Sequence, residues 1–74
     1  MSNLAIRRMW SEELDLSDIS DDDDFFSLGG HSLAMAKIQG RIEREMGLVV
    51  PMEVLFRQST IKAISAYIDG ARAG

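Results

Sequence analysis

The chain has 74 residues, no cysteine and a formal net charge of −4, and its length leaves room for one domain, residues 1–74, with one small core. The lack of cysteine excludes disulfides, thiolate metal sites and a thiol nucleophile. The acidic charge argues against nucleic acid as a partner, and no apolar run is long enough to make a membrane a partner.

A helix is predicted first, over about residues 3–15. Its large apolar residues lie at i, i+3, i+4 and i+8, which puts them on one stripe of a helix. The segment 12–24 then carries eight acidic residues and no basic one, which predicts a solvated loop. The apolar stripe consists of Ile6, Met9, Trp10 and Leu14.

Large apolar residues follow the acidic segment at once. Phe25, Phe26 and Leu28 stand beside four carboxylates, which predicts a loop that dips back into the core with at least one phenylalanine buried. Gly29 and Gly30 then supply the backbone freedom for a sharp turn.

The second helix is predicted to begin at Ser32, which stands where an N-cap belongs, and to end near Gly47. Its apolar residues recur at i, i+3, i+7 and i+11, while its basic residues line another face. We interpret the basic face as solvated, with partner docking as the alternative. The apolar set is Met35, Ile38, Ile42 and Met46, and the basic set is Lys37, Arg41 and Arg44.

Two further helices are predicted towards the C-terminus. A short one begins around Pro51, whose ring suits a first helical turn. Thr60 is the expected N-cap of the last helix, which carries isoleucines at i, i+3 and i+7 and frays from Gly70 onward. The sequence therefore predicts an all-α fold, a small four-helix bundle with three longer helices plus one short helix.

The segment around Ser32 places a serine hydroxyl at the start of a helix, directly after a flexible turn. The first N–H groups of a helix lack internal partners and carry partial positive charge, so an anion such as a phosphodiester on Ser32 would be favourably placed. The residues alone leave a second interpretation open, in which Ser32 is only a cap and the glycines only a turn.

The run from residue 23 to residue 33, Asp-Asp-Phe-Phe-Ser-Leu-Gly-Gly-His-Ser-Leu, resembles the signature of peptidyl carrier domains in nonribosomal peptide synthesis, relatives of the acyl carrier proteins. In that family the serine of this motif carries 4′-phosphopantetheine. The resemblance extends to Met9–Glu12 and to Leu55–Ile61. His31 favours the peptide branch, since fatty-acid and most polyketide carriers have aspartate before the serine.

The resemblance implies that Ser32 receives 4′-phosphopantetheine covalently from coenzyme A, through a phosphopantetheinyl transferase that reads the flanking motif. It further implies that an adenylating enzyme loads an amino acid or aryl acid onto the imported thiol, and that condensing or tailoring enzymes act on the tethered group. The chain itself is then a non-catalytic carrier. The flanking motif is Leu28, Gly29, Gly30, His31 and Leu33, and the predicted partner surface is Leu33, Ala34, Met35, Lys37 and Arg41.

Two positions depart from the family pattern. Ser59 stands where proline is common, and Met35 stands where alanine is common, so that the larger Met35 is expected to reshape the surface that partners meet. We expect a discrete protein, because the chain starts at Met1 and shows no flanking linker. We expect a cytoplasmic protein, because it shows no secretory leader, and a monomer by default.

Other functions fit the residues less well. Gly30–Ala34 nearly spells the G-x-S-x-G elbow of hydrolases, but the fifth residue is alanine, no sheet is predicted, and His31 is adjacent to the serine and poorly placed as its base. A calcium loop from Asp18 would need glycine where Asp23 stands and glutamate where Gly29 stands. An acyl carrier of a polyketide or fatty-acid pathway and an unmodified helical interaction module remain as alternatives.

Overall fold

The computed structural model describes residues 2–73, which contain four helices. In chain order these are α1 (Asn3–Leu14), α2 (Ser32–Met46), α3 (Met52–Arg57) and α4 (Ile61–Ala73). The described residues form no strand and only an isolated antiparallel bridge between Asp24 and Thr60. The predicted all-α architecture, with three longer helices and a short one, is confirmed.

The core is built by the apolar stripes of the helices together with loop residues, Val50 before α3 and Ile19 and Phe25 in the loop before α2. Trp10 of α1 and Phe25 of that loop are fully buried, and their rings meet edge to face with centroids 4.9 Å apart. Each fully buried side chain of this size stabilises the fold by about 1.5–3 kcal/mol. The prediction that at least one phenylalanine lies in the core is confirmed, and Trp10 of the predicted apolar stripe lies there too. The other fully buried side chains are Ile6, Met9, Met35, Ile38, Ile42, Val50, Leu55, Ile61, Ile64 and Ile68.

The helix ends follow from local residues. Gly47 ends α2 in the left-handed region with φ 69°, and Thr60 Oγ1 accepts the Ala63 N–H at 3.1 Å, which confirms Thr60 as the N-cap of α4. The helix α4 continues through Gly70, from where the sequence predicts fraying, to Ala73. Ser2 Oγ donates to Asp69 Oδ1 at 2.6 Å, so the turn that precedes Gly70 is held against the start of α1.

The acidic segment between α1 and α2 is largely solvated, but Ile19 and Asp21 anchor it to the helices. Residues 15–18 are exposed, whereas Ile19 is buried. Arg7 of α1 binds the Asp21 carboxylate and donates to the Ile19 carbonyl at 3.2 Å. The Lys62 N–H of α4 donates to the Asp21 carbonyl at 3.0 Å. The loop is therefore fastened to two helices before it reaches Ser32.

A cluster of ion pairs centred on Arg41 joins α1 to α2. The Arg41 guanidinium lies 2.5 Å from Glu12, 3.9 Å from Glu13 and 3.3 Å from Glu45. Arg8 of α1 also contacts Glu45. Since the Arg41 side chain is only 16% exposed, it forms a contact between helices and not the solvated face that its spacing predicts.

Candidate functional site

Ser32 is the first residue of α2 and is exposed. Its neighbour His31 has extended backbone angles, φ −138° and ψ 175°, and its Nδ1 accepts the Ala34 N–H at 3.3 Å. The predicted N-cap role of Ser32 is therefore wrong, because His31 caps the helix. Within residues 2–73 the Ser32 hydroxyl makes no hydrogen bond, so it is free to react.

The start of α2 also offers backbone donors to an anion. The N–H of Met35 bonds to the His31 carbonyl at 2.9 Å, and the N–H of Ala34 bonds to the His31 ring. The N–H groups of Ser32 and Leu33 have no acceptor in the part of the chain that the structure describes. An exposed serine beside free N–H groups at the positive end of a helix fits a covalently attached phosphodiester.

The turn before Ser32 requires glycine twice. Gly29 has φ +100°, a conformation that side chains of L-residues disfavour. A Cβ on Gly30 would lie 2.3 Å from Cε2 and 2.8 Å from the carbonyl oxygen of Phe25, and the Gly30 N–H donates to that carbonyl at 3.0 Å. The predicted sharp turn is confirmed, and the buried Phe25 fixes its position.

The residues before this turn form a hydrogen-bond network around Asp24. Its Oδ2 accepts the N–H groups of Phe26 and Ser27, each at 3.0 Å, and its Oδ1 accepts the hydroxyl of the buried Ser59. The Ser59 hydroxyl, and next the Ser27 N–H, lower the pKa of Asp24 because they stabilise its ionised form. The Phe25 N–H completes the junction by donating to the Ser59 carbonyl at 2.8 Å.

The sequence did not single out Asp24 or Ser59 as partners. Asp24 looked like the last member of a solvated acidic run, and Ser59 only a departure from the family pattern. The two are 35 positions apart, so no local spacing links them. The one available signal is an aspartate directly before two phenylalanines, where it can cap a turn through its own side chain.

The predicted partner surface is only partly a surface. Leu33 is 64% exposed and Lys37 is exposed, but Ala34 and Met35 are buried, so the prediction that these two are accessible to partners is wrong. They precede the buried Ile38 by four and three positions, which puts them on the same inward face of α2. Met35 therefore fills the core instead of reshaping the surface, and Arg41 is occupied by its ion pairs.

An aromatic residue of α3, Phe56, lies partly exposed beside Phe26 of the loop before α2. Phe56 is 43% exposed, and its ring centroid lies 5.7 Å from that of Phe26, which in turn lies 5.5 Å from the buried Phe25. Leu28 is partly buried and packs against the core. The sequence predicted a short helix containing Phe56, but a helix of so few turns has too little periodicity to show which side is exposed.

In the part of the chain that the structure describes, neither a membrane span nor a metal centre is found. Across residues 2–73, no helix is both long and apolar enough to cross a bilayer. In the same range, no three His, Cys, Asp or Glu side chains are grouped so that they would hold a metal ion.

A family model and curated relatives match most of the chain. Residues 5–68 match the family model described as the phosphopantetheine attachment site. The chain is 42% identical over 67 residues to gramicidin S synthase 2 of Brevibacillus brevis and 46% identical over 64 residues to surfactin synthase subunit 3 of Bacillus subtilis (strain 168). These alignments cover 90% and 86% of this chain but only 2% and 5% of the two synthases.

Solved structures of peptidyl carrier proteins share the fold of this chain. The chain superposes with a TM-score of 0.91 and 33% identity on a chain from the complex of the phosphopantetheine transferase Sfp with coenzyme A and a peptidyl carrier protein. That match covers 95% of this chain and 91% of the other. An active-site mutant of a peptidyl carrier protein superposes with a TM-score of 0.90 and 33% identity, over 93% of this chain and 77% of that one.

Proposed function

This chain belongs to the phosphopantetheine-attachment family, and we propose that Ser32 is its attachment residue and that the chain acts as a peptidyl carrier. The observation that supports this assignment most strongly is the geometry of Ser32, an exposed serine with an uncommitted hydroxyl at the first position of α2. Its place in the Leu-Gly-Gly-His-Ser-Leu sequence of residues 28–33 supports the same choice.

The proposed modification is a phosphoryl transfer that needs no oxidant. Ser32 Oγ attacks the phosphorus that links pantetheine to the nucleotide in coenzyme A, and a new P–O bond forms. The P–O bond to the nucleotide breaks, the hydroxyl proton passes to a base of the transferase, and 3′,5′-ADP leaves. The N–H groups of Ser32 and Leu33 stabilise the negative phosphodiester that results.

The attached group supplies a thiol, which this cysteine-free chain lacks, and that thiol holds an acyl or aminoacyl group as a thioester. The chain itself contributes position and surface, and we propose no catalytic role for it. Its one histidine is engaged as the cap of α2, which agrees with that proposal.

The proposed partners are a phosphopantetheinyl transferase, an adenylating enzyme that loads the thiol, and condensing or tailoring enzymes. Solved neighbours support the first two partners: one is a peptidyl carrier protein in complex with the phosphopantetheine transferase Sfp and coenzyme A, and another is an adenylation and carrier pair with phenylalanyl-adenylate. We propose the cytoplasm as the location because the reaction consumes coenzyme A. The exposed Leu33 and Lys37 are proposed to meet these enzymes.

Intact-mass measurement tests the attachment directly. The chain is incubated with a broad-specificity phosphopantetheinyl transferase and coenzyme A, and the expected result is a gain of one phosphopantetheine. The Ser32→Ala variant should gain nothing, whereas Ser17→Ala, which removes an exposed hydroxyl from the preceding loop, should gain as the unaltered chain does. A chain that stays unmodified, or a Ser32→Ala variant that is still modified, contradicts the proposal.

A further inference from the structure

The hydrogen bond between Asp24 and Ser59 joins the start of the turn that leads to Ser32 to the junction between α3 and α4. The Asp24 carboxylate orders the backbone that follows it, since it accepts two successive N–H groups, those of Phe26 and Ser27. Backbone bonds continue the same turn, from Leu28 N–H to the Asp24 carbonyl at 3.1 Å and from Gly29 N–H to the Phe26 carbonyl at 3.2 Å.

Ser59 fastens this turn to the junction between α3 and α4. The residue is buried, its hydroxyl donates to Asp24 Oδ1, and its carbonyl accepts the Phe25 N–H at 2.8 Å. A proline at position 59 would keep the carbonyl contact but would have no hydroxyl to donate. The hydrogen bond from the Ser59 hydroxyl to Asp24 therefore exists only because this chain has serine, and not proline, at position 59.

We propose that the Asp24–Ser59 pair is a positioning element, which holds the turn of residues 25–30 in the form that the phosphopantetheinyl transferase binds. This inference rests on the proposed function of Ser32. Neither residue touches the reacting atoms. Asp24 lies eight positions before Ser32, and the effect passes through Phe25, whose ring and carbonyl contact Gly30 two positions before that serine.

The expected consequence is a change in KM and not in kcat. When only a fraction of a protein is in its binding-competent form, the apparent dissociation constant is the intrinsic constant divided by that fraction. The chemical step after binding is unchanged. Loss of a hydrogen bond to a carboxylate alters such an equilibrium by about tenfold or more, and KM rises by less than this when the competent form keeps a sizeable share of the population. We therefore expect Ser59→Ala and Asp24→Asn each to raise the KM of the transferase for the carrier by about three- to tenfold.

The test measures transferase kinetics on four folded variants of the full chain. The double variant Asp24→Asn/Ser59→Ala should show no greater rise in KM than the larger single variant, because the bond that Ser59→Ala removes is one of those that Asp24→Asn already disrupts. Asp22→Asn is the matched control, since it removes the same charge from an exposed position two residues earlier and should leave KM within about twofold. Amide hydrogen exchange of Phe26 and Ser27 is recorded for each variant and should accelerate only in those that lose the pair.

The outcomes separate the inference from the function on which it rests. If the unaltered chain is not modified, the proposed function fails, and the exchange rates still decide whether the pair orders the turn. If the chain is modified but Ser59→Ala leaves KM and exchange unchanged, the positioning role is refuted. Equal increases in KM for Asp22→Asn and Asp24→Asn would also overturn it, because a loss of charge alone would then explain the effect.

Discussion

The ring of Phe25 occupies the space that a side chain on Gly30 would need. A Cβ there would lie 2.3 Å and 2.4 Å from two ring carbons, and 2.8 Å from the Phe25 carbonyl oxygen. The ring is fully buried and packs on Trp10, so it has no free volume into which it can retreat. Gly30 is therefore tied to the core and does more than make a turn.

Gly30→Ala is expected to destabilise the fold by about 2–3 kcal/mol, because the clash involves backbone as well as a core ring. Urea unfolding followed by the fluorescence of the buried Trp10 measures the free energy of unfolding. Gly70→Ala is the control: its Cβ would meet nothing within 4 Å, and alanine in α4 should stabilise the fold by about 0.5–1 kcal/mol. Equal stability of the Gly30→Ala and unaltered chains would refute the close contact.

Arg41→Met is expected to destabilise the fold by about 1–2 kcal/mol. Methionine keeps much of the apolar stem but removes the cation that three glutamates surround, and the Arg41 side chain is mostly buried. The decrease in the free energy of unfolding should be smaller in high salt, because salt screens the repulsion between the carboxylates that have lost Arg41. Thermal unfolding at low and high ionic strength measures both effects.

Arg44→Met provides the comparison for Arg41. Arg44 lies one turn further along α2 and is exposed, so its loss should change the free energy of unfolding by less than about 0.5 kcal/mol. If the two substitutions cost the same, the ion pairs of Arg41 do not stabilise the contact between α1 and α2.

The residues of α2 show which features could be predicted from the sequence and which could not. The helix pattern could be predicted because Ile38 and Ile42 repeat a period that local geometry fixes, and Ser32 could be proposed as the site because the motif around it is continuous. Arg41 shares the spacing of Lys37 and Arg44, but its partner Glu12 lies 29 positions away, and only the packing of α1 on α2 brings them together. Local spacing identifies a helix face, whereas tertiary packing decides what covers it.

Ser65→Ala is expected to stabilise the fold by about 1–2 kcal/mol. The Ser65 hydroxyl is buried on α4 and has no hydrogen-bond partner among the described residues, so its desolvation is uncompensated. Alanine also has the higher helix propensity. Chemical denaturation measures the difference in the free energy of unfolding between Ser65→Ala and the unaltered chain. Ser11→Ala in α1 serves as the control, since Ser11 is only partly buried and should show the propensity gain alone, about 0.5 kcal/mol.

The Asp24 carboxylate predicts how stability depends on pH. The Ser59 hydroxyl, and next the Ser27 N–H, hold the pKa of Asp24 below its ordinary value of 3.8, so the folded state favours the ionised form. The stabilisation is therefore complete above pH 3.8 and is lost as the pH falls through the folded-state pKa. Ser59→Ala should raise the pKa of Asp24, which carboxyl carbon NMR titration measures.

The free energies of unfolding of the unaltered chain and of Ser59→Ala should differ most near neutral pH, by about 1–2 kcal/mol. The difference should narrow in acid, because a protonated Asp24 is a weaker acceptor for the Ser59 hydroxyl. Urea titrations at several pH values measure that difference, with Asp22→Asn as a control for general loss of negative charge. A gap that stays constant down to the folded-state pKa of Asp24 would mean that Ser59 stabilises the junction by packing alone.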